Sequence, residues 1–289
     1  MQLIVFILFY PFLWIISILP FRVLYLLSDF VFFIVYRIIK YRKKTVRENL
    51  ALALPHLSKP ERDLIEKKFF KHLCDMFLEM IKTLSISRKE IENRFVFTNL
   101  ELYKDLEKKN KSVALLCAHY ASYEWTVSMN HYITYKGYGI YKKIANTYFD
   151  RLVHHIRSKF KATLISTKET ASTIEKNHAN GVLSLYGFAS DQSPRLDKAM
   201  HWCKFMGIET PVHTGAELLA KRYDLNLIFL RVKKVKRGYY EGTFELMAEN
   251  PKDTKRFEIS EDFIHRVEKQ ILEDPEFYLW THKRWKHRR

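Results

Sequence analysis

The residues best placed to do chemistry are His119 and Glu124, in the stretch LLCAHYASYEW over residues 115–125. A neutral imidazole can take the proton from a hydroxyl as its oxygen attacks a carbonyl. A nearby carboxylate can fix the ring's tautomer and stabilise the imidazolium that forms. Four residues separate the two, so a strand-to-helix turn can bring the carboxylate back against the ring. An apolar run, 113–117, ends just before His119, and a helical pattern begins a few residues later. That puts the pair at the carboxyl end of a strand, where catalytic groups collect in α/β sheets. Alone, an H-x4-E spacing is a weak signal, because the chain holds 12 histidines and many acids.

The elements that must position the pair follow from hydrophobic periodicity. Residues 61–84 carry apolar side chains at helical spacing after a Ser58-Lys59-Pro60-Glu61 start signal, which predicts one long amphipathic helix. Short apolar runs at 95–97, 113–117, 139–141, 162–165, 182–186 and 225–232 predict buried strands. Helical patterns near 100–109, 123–132, 148–160, 168–176 and 212–223 lie between them. Residues 239–247 alternate like an edge strand, and 258–273 read as a closing helix. Strand and helix alternate, which predicts an α/β fold: a central mostly parallel or mixed sheet with helices on both faces.

Composition narrows the partners. The 289 residues carry 49 Lys+Arg against 32 Asp+Glu, a formal charge of +17, yet 47% are hydrophobic and 15% aromatic. Such a chain buries enough apolar area to fold and is no disordered polyelectrolyte. It has eight glycines and neither a G-x-x-x-x-G-K-[ST] nor a G-x-G-x-x-G string, which argues against Walker-type NTPases and standard dinucleotide enzymes. Three scattered cysteines, Cys74, Cys117 and Cys203, fit a reducing compartment. Cys117 reads as a small buried hydrophobe rather than a nucleophile. His154-His155 and His201-x-Cys203 lack the partner spacing of a metal site, so no metal and no cofactor is expected. No RRM, zinc-finger or basic-zipper signature accompanies the charge, and nucleic acid is not expected as a partner.

The amino terminus predicts a membrane anchor. Residues 3–19 are uncharged, and a second apolar stretch, 23–39, contains only Asp29 and Arg37 as charged side chains. Pro11 and Pro20 leave three forms open: one span, a hairpin, or a helix lying in the interface. Lys40, Arg42, Lys43, Lys44 and Arg47 follow, which by the positive-inside rule puts the rest of the chain on the cytoplasmic side. The expected division is an anchor with its basic flank over 1–45 and a catalytic domain over 46–289.

His119-Tyr-Ala-Ser-Tyr-Glu124 resembles the H-x4-[DE] motif of the glycerolipid acyltransferase superfamily, and its surroundings resemble the lipid A late acyltransferases of Gram-negative bacteria. Four further segments fit in order. Tyr141-Lys142-Lys143-Ile144-Ala145-Asn146, with Asp150-Arg151-Leu152, resembles the family's Tyr-Arg-Pro-x-x-Asn segment. Ser190-Asp191-Gln192-Ser193-Pro194 resembles its Asp-Gln segment, and Lys204-Phe205-Met206-Gly207 with Thr214-Gly215 its Phe-Phe-Gly stretch. The tail from Asp274 to Lys286 resembles its Pro-Glu-x-Tyr-x-Trp-x-His-x-Arg-aromatic-Lys ending. Two positions depart: Lys142 stands where the family has arginine and cannot offer a planar two-pronged contact, and Ala118 replaces a glycine.

The resemblance implies a glycerol-phosphate-acyltransferase-like fold and a bacterial inner-membrane enzyme. It would move a fatty acyl chain from an acyl carrier protein thioester to a hydroxyl of a lipid A precursor, an anionic glycolipid. His119 and Glu124 would form the catalytic dyad. Lys142, Asn146, Arg151, Asp191, Gln192 and Arg195 are the candidate substrate-binding residues, although Asp191-Gln192 also suits a turn cap before Pro194 and the basic residues also suit a solvated face. Two other readings remain: the same chemistry on another acceptor lipid, and a noncatalytic, membrane-tethered basic binding protein.

Overall fold

The computed structural model describes residues 2–289. Four helices open the chain: α1 (Gln2–Ile18), α2 (Phe21–Phe33), α3 (Lys43–Ala53) and α4 (Lys59–Lys82). A helix α5 (Arg88–Arg94) feeds β1 (Phe95–Phe97), and α6 (Leu100–Glu107) precedes β2 (Val113–Cys117). Then come β3 (Lys136–Tyr141), α7 (Thr147–Ser158), β4 (Thr163–Ser166), α8 (Thr170–Ala179) and β5 (Ser184–Ala189). The chain closes with β6 (Trp202–Phe205), β7 (Ile208–Pro211), α9 (Gly215–Tyr223), β8 (Asn226–Lys236), β9 (Tyr239–Ala248) and α10 (Glu258–Glu273).

Seven strands form one mixed sheet in the order β1-β9-β8-β2-β5-β3-β4, and β6 and β7 form a separate two-stranded ribbon. Every neighbouring pair in the large sheet is parallel except β8 with β9. That pair is antiparallel because Arg237-Gly238 joins the strands directly, and a two-residue turn can only reverse the chain. Gly238 sits at φ +76, and a Cβ there would fall 1.9 Å from the Tyr25 hydroxyl. Its place in the turn therefore depends on glycine. β2 lies at the centre with all five residues buried, since a parallel strand covered by helices has no solvent face. β9, whose alternation suggests an edge, is second from the edge; the three-residue β1 shields it.

The expected membrane anchor is corrected by the structure. No helix among the described residues is long and apolar enough to cross a membrane. α1 has 17 residues and α2 has 13, with the chain broken at Leu19-Pro20, whereas a span needs about 20 continuous apolar residues. One face of each helix packs on the protein, while most apolar side chains of α1 and several of α2 stay exposed. Phe6 of α1 stacks on Tyr148 and meets Phe149 edge-on, both from α7. Lys82 donates to the carbonyls of Ser17 and Leu19, which cap the end of α1.

α2 is held by a buried polar network rather than by lipid-like contacts. Ser28 donates to Asp75 at 2.7 Å, Tyr25 and Tyr240 both donate to Glu79 at 2.8 Å, and Arg237 bridges Asp29 and Asp75. Asp75 is almost wholly buried and also faces Lys234 at 3.7 Å. Removing it leaves Lys234 without its carboxylate and Arg237 with Asp29 alone, and breaking a buried pair from one side costs several kcal/mol. Asp75→Ala is therefore expected to lower the unfolding free energy by about 3 kcal/mol, read by urea denaturation.

α4 begins as its sequence predicts. Ser58 and Glu61 close a reciprocal cap, with the Ser58 amide donating to Glu61 at 2.7 Å. Its inner face, with Phe69, His72, Leu73 and Met76, is turned toward the end of β2 where His119 emerges.

Candidate functional site

β2, β5 and β3 are successive neighbours and all parallel, so their carboxyl ends open on one edge of the sheet. His119 leaves β2 there, Asp191 leaves β5, and Lys142 leaves β3. The register sets Cys117 opposite Ala189, each two residues before its functional side chain. Residues far apart in sequence thus meet across one strand spacing.

His119 meets Asp191. Its Nδ1 lies 2.7 Å from Asp191 Oδ1, and its backbone N–H donates to the same oxygen at 3.1 Å. The Asp191 side chain is 1% exposed and the imidazole 20%. Burial lowers the pKa of the ring, but the charge and hydrogen bond of Asp191, with Glu124 behind them, outweigh it and hold the pKa above the ordinary histidine value. Burial pushes the Asp191 carboxyl up while His119 pulls it down further, leaving it below the usual range and ionised. Nδ1–H therefore donates to the carboxylate, and Nε2 is the nitrogen left to accept a proton.

Glu124 does not hydrogen-bond to His119. Its carboxylate takes a two-pronged contact from Arg157 of α7, with Nε at 2.9 Å and Nη2 at 2.6 Å. The physical reason is the turn between them: Ala121 adopts φ +48, and the residues that follow enter a tight helical turn (Trp125–His131) rather than a regular helix. Glu124 is left facing α7. Arg157 was not singled out by sequence, since a lone arginine on a helical face carries no spacing signal. Asp191 was, but as a binding residue rather than as the partner of the imidazole.

The other candidates are spread. Asn146 caps α7, accepting from the amides of Tyr148 and Phe149. Lys142 and Arg151 are exposed, and Arg151 lies over the Tyr148 ring. Arg195 is exposed and pairs with Asp197 at 2.9 Å. Gln192 is half-buried beside Asp191. No group of three or more potential metal ligands occurs among the described residues.

Beside His119 opens a small apolar cleft lined by Phe69, Leu73 and Met76 of α4, Tyr123, Phe277 and Leu279. Cys117 is buried at the end of β2, and burial pushes its thiol up to about 12, so almost no thiolate exists near neutral pH. Cys117→Ala is expected to change any turnover by less than about twofold. Intact-protein mass spectrometry of the wild type should detect no thioester adduct at this residue.

Such a constellation, with a base held by a buried carboxylate beside an apolar cleft, suits proton removal from a hydroxyl as it attacks an acyl carbonyl. A sequence model of the family described as bacterial lipid A biosynthesis acyltransferase matches residues 2–287. A lipid A biosynthesis lauroyltransferase of Escherichia coli K12 is 25% identical over 279 residues, covering 96% of this chain and 89% of that one. A lipid A biosynthesis palmitoleoyltransferase of the same strain is 23% identical over 287 residues, with 96% and 89% covered. A lipid A biosynthesis acyltransferase of Shigella flexneri is similar to the same degree. The family match spans nearly the whole chain and all the segments that build the site: this protein is an acyltransferase belonging to the bacterial lipid A biosynthesis acyltransferase family.

Proposed function

We propose that the chain transfers a fatty acyl group from an acyl carrier protein thioester to a hydroxyl of a lipid A precursor, at the cytoplasmic face of the bacterial inner membrane. The observation that carries the reading is the 2.7 Å contact between His119 Nδ1 and the buried Asp191, at the edge of a small apolar cleft. His119 Nε2 takes the hydroxyl proton as the oxygen attacks the thioester carbonyl. Asp191 holds the tautomer and balances the imidazolium charge. The tetrahedral intermediate collapses as the carbon–sulfur bond breaks, and the departing sulfur takes the proton from His119 Nε2, so the carrier leaves as a thiol and the ring returns to its neutral form. No covalent acyl-enzyme forms.

Glu124 serves this chemistry as a second negative charge near the ring and as the group that fixes Arg157. Arg157 spends Nε and Nη2 on Glu124, and its remaining nitrogen, Nη1, is the group we assign to the developing oxyanion. Lys142 just past β3 and Arg195 in the loop after β5 are exposed, and together with the chain's net charge of +17 they favour an acidic carrier and a phosphorylated acceptor. The test is mass spectrometry of lipid A from cells lacking the protein and from cells complemented with it. One acyl chain lost and then restored supports the reading. A chain lost from a different lipid would replace the acceptor and keep the chemistry, and no lipid change would overturn it.

A further inference from the structure

The carboxyl-terminal segment after α10 crosses both loops of the site. Leu279 N–H donates to the His119 carbonyl at 3.1 Å, Ala121 N–H donates to the Phe277 carbonyl at 2.9 Å, and Tyr120 pairs with Tyr278 as an isolated antiparallel bridge. The tail thereby braces the turn that presents the imidazole, including Ala121 in its left-handed conformation. Three residues on, the same tail reaches the other loop: Ser193 N–H donates to His282 Nε2 at 3.1 Å. Asn49 of α3 holds the tail in place, donating to the carbonyls of Trp280 and His282 at 2.7 Å each.

Resting on the acyltransfer reading above, we propose that His282 is a positioning residue: it fixes the Asp191 loop against the His119 turn, so that the carboxylate stays on Nδ1. The loop needs such a brace. After β5 ends at Ala189 it runs without regular structure to a tight helical turn at Leu196–Lys198. Beyond its own bonds to His119, the Asp191 carboxylate has the Tyr278 hydroxyl of the same tail beside it, and its Oδ2 makes no hydrogen bond among the described residues. To accept from an amide, His282 must be neutral. Burial lowers its pKa to about 4, with Arg284, Lys286 and His119 adding to that and Asp191 opposing it. The acceptor nitrogen is therefore available at all ordinary pH values.

The experiment compares His282→Gln with His282→Asn. A glutamine carbonyl reaches where Nε2 stands, while an asparagine carbonyl reaches only to Nδ1; both keep a polar, similar-sized side chain. Two readouts are used: nuclear magnetic resonance titration of the His119 imidazole in the purified protein, and kcat and KM for acyl transfer. The charged and titratable groups facing His119 are Asp191, its own turn's Tyr123 and Glu124, Arg157 of α7, His72 of α4, and Tyr278 and His282 of the tail. Both variants leave all but His282 in place.

With asparagine, Asp191 is expected to drift, the His119 protonation constant to fall about tenfold, and kcat to fall about 10- to 100-fold with KM within about twofold. Glutamine is expected to restore both to within about threefold. An unmoved His119 titration in the asparagine variant would overturn the proposal, as would equal losses in both variants matched by equal losses of Tm. The titration does not depend on activity: no transfer by the wild-type protein overturns the acyltransfer reading alone, whereas an unmoved titration overturns this one.

Discussion

Replacing His119 with asparagine is expected to lower acyl transfer about 10³-fold, roughly 4 kcal/mol of barrier. Asparagine is chosen over alanine for a physical reason. Its side-chain N–H reaches the position of Nδ1 and can still donate to Asp191, which would otherwise be left as a buried, unpaired carboxylate. The backbone N–H of residue 119 keeps its bond to the same oxygen. Folding should thus be spared while the accepting nitrogen is removed. The measurement is the initial rate with an acyl carrier thioester and a lipid A precursor, alongside Tm. A loss of rate at unchanged Tm is the expected result. Activity within tenfold of wild type would remove His119 from the role of base and shift attention to Glu124.

Much of this arrangement is legible in the chain because it follows from local pattern. α4 announces itself by a capping box and helical spacing, α10 matches its pattern from end to end, and β2 is a short apolar run that delivers His119 where the sheet opens. The β6–β7 ribbon is not read as such, although Met206-Gly207, both at positive φ, forms the two-residue turn that hairpins use. The amino terminus misleads for a different reason. Apolar periodicity measures how strongly a helix avoids water and cannot say whether protein or lipid covers it. The informative residues in α2 are the polar ones, Tyr25, Ser28 and Asp29, and their partners Glu79, Asp75 and Arg237 lie 47 or more positions away.

The same distance problem governs the site. His119 and Glu124 are close in sequence, and proximity along the chain suggests a pair. Asp191 is 72 positions from His119, and only the parallel pairing of β2 with β5 makes the two neighbours. Arg157 likewise becomes a partner of Glu124 through the placement of α7. The turn conformation at Ala121 then decides which acid the ring faces.

That geometry makes Asp191→Asn the sharper test of mechanism. Asp191 Oδ1 accepts both bonds from residue 119, so an asparagine carbonyl can accept both as well and leave the ring in place. What disappears is the negative charge. The base works in its neutral form, so activity rises as pH climbs through the His119 pKa, which Asp191 and Glu124 hold above the ordinary value. Without the Asp191 charge, burial, the largest single influence, lowers that pKa and is opposed only by Glu124, which Arg157 offsets in part. The acidic limb of the kcat/KM profile should therefore move to lower pH. At the plateau the rate should still fall about 10²- to 10³-fold, because the imidazolium formed as the hydroxyl is deprotonated has lost its counter-charge. The two effects have opposite signs at low pH, and no loss of stability produces both. A plateau reduced with its limb unmoved would mean that Asp191 only packs against the ring. A limb shifted downward beneath a lowered plateau would mean that its charge takes part in the proton transfer.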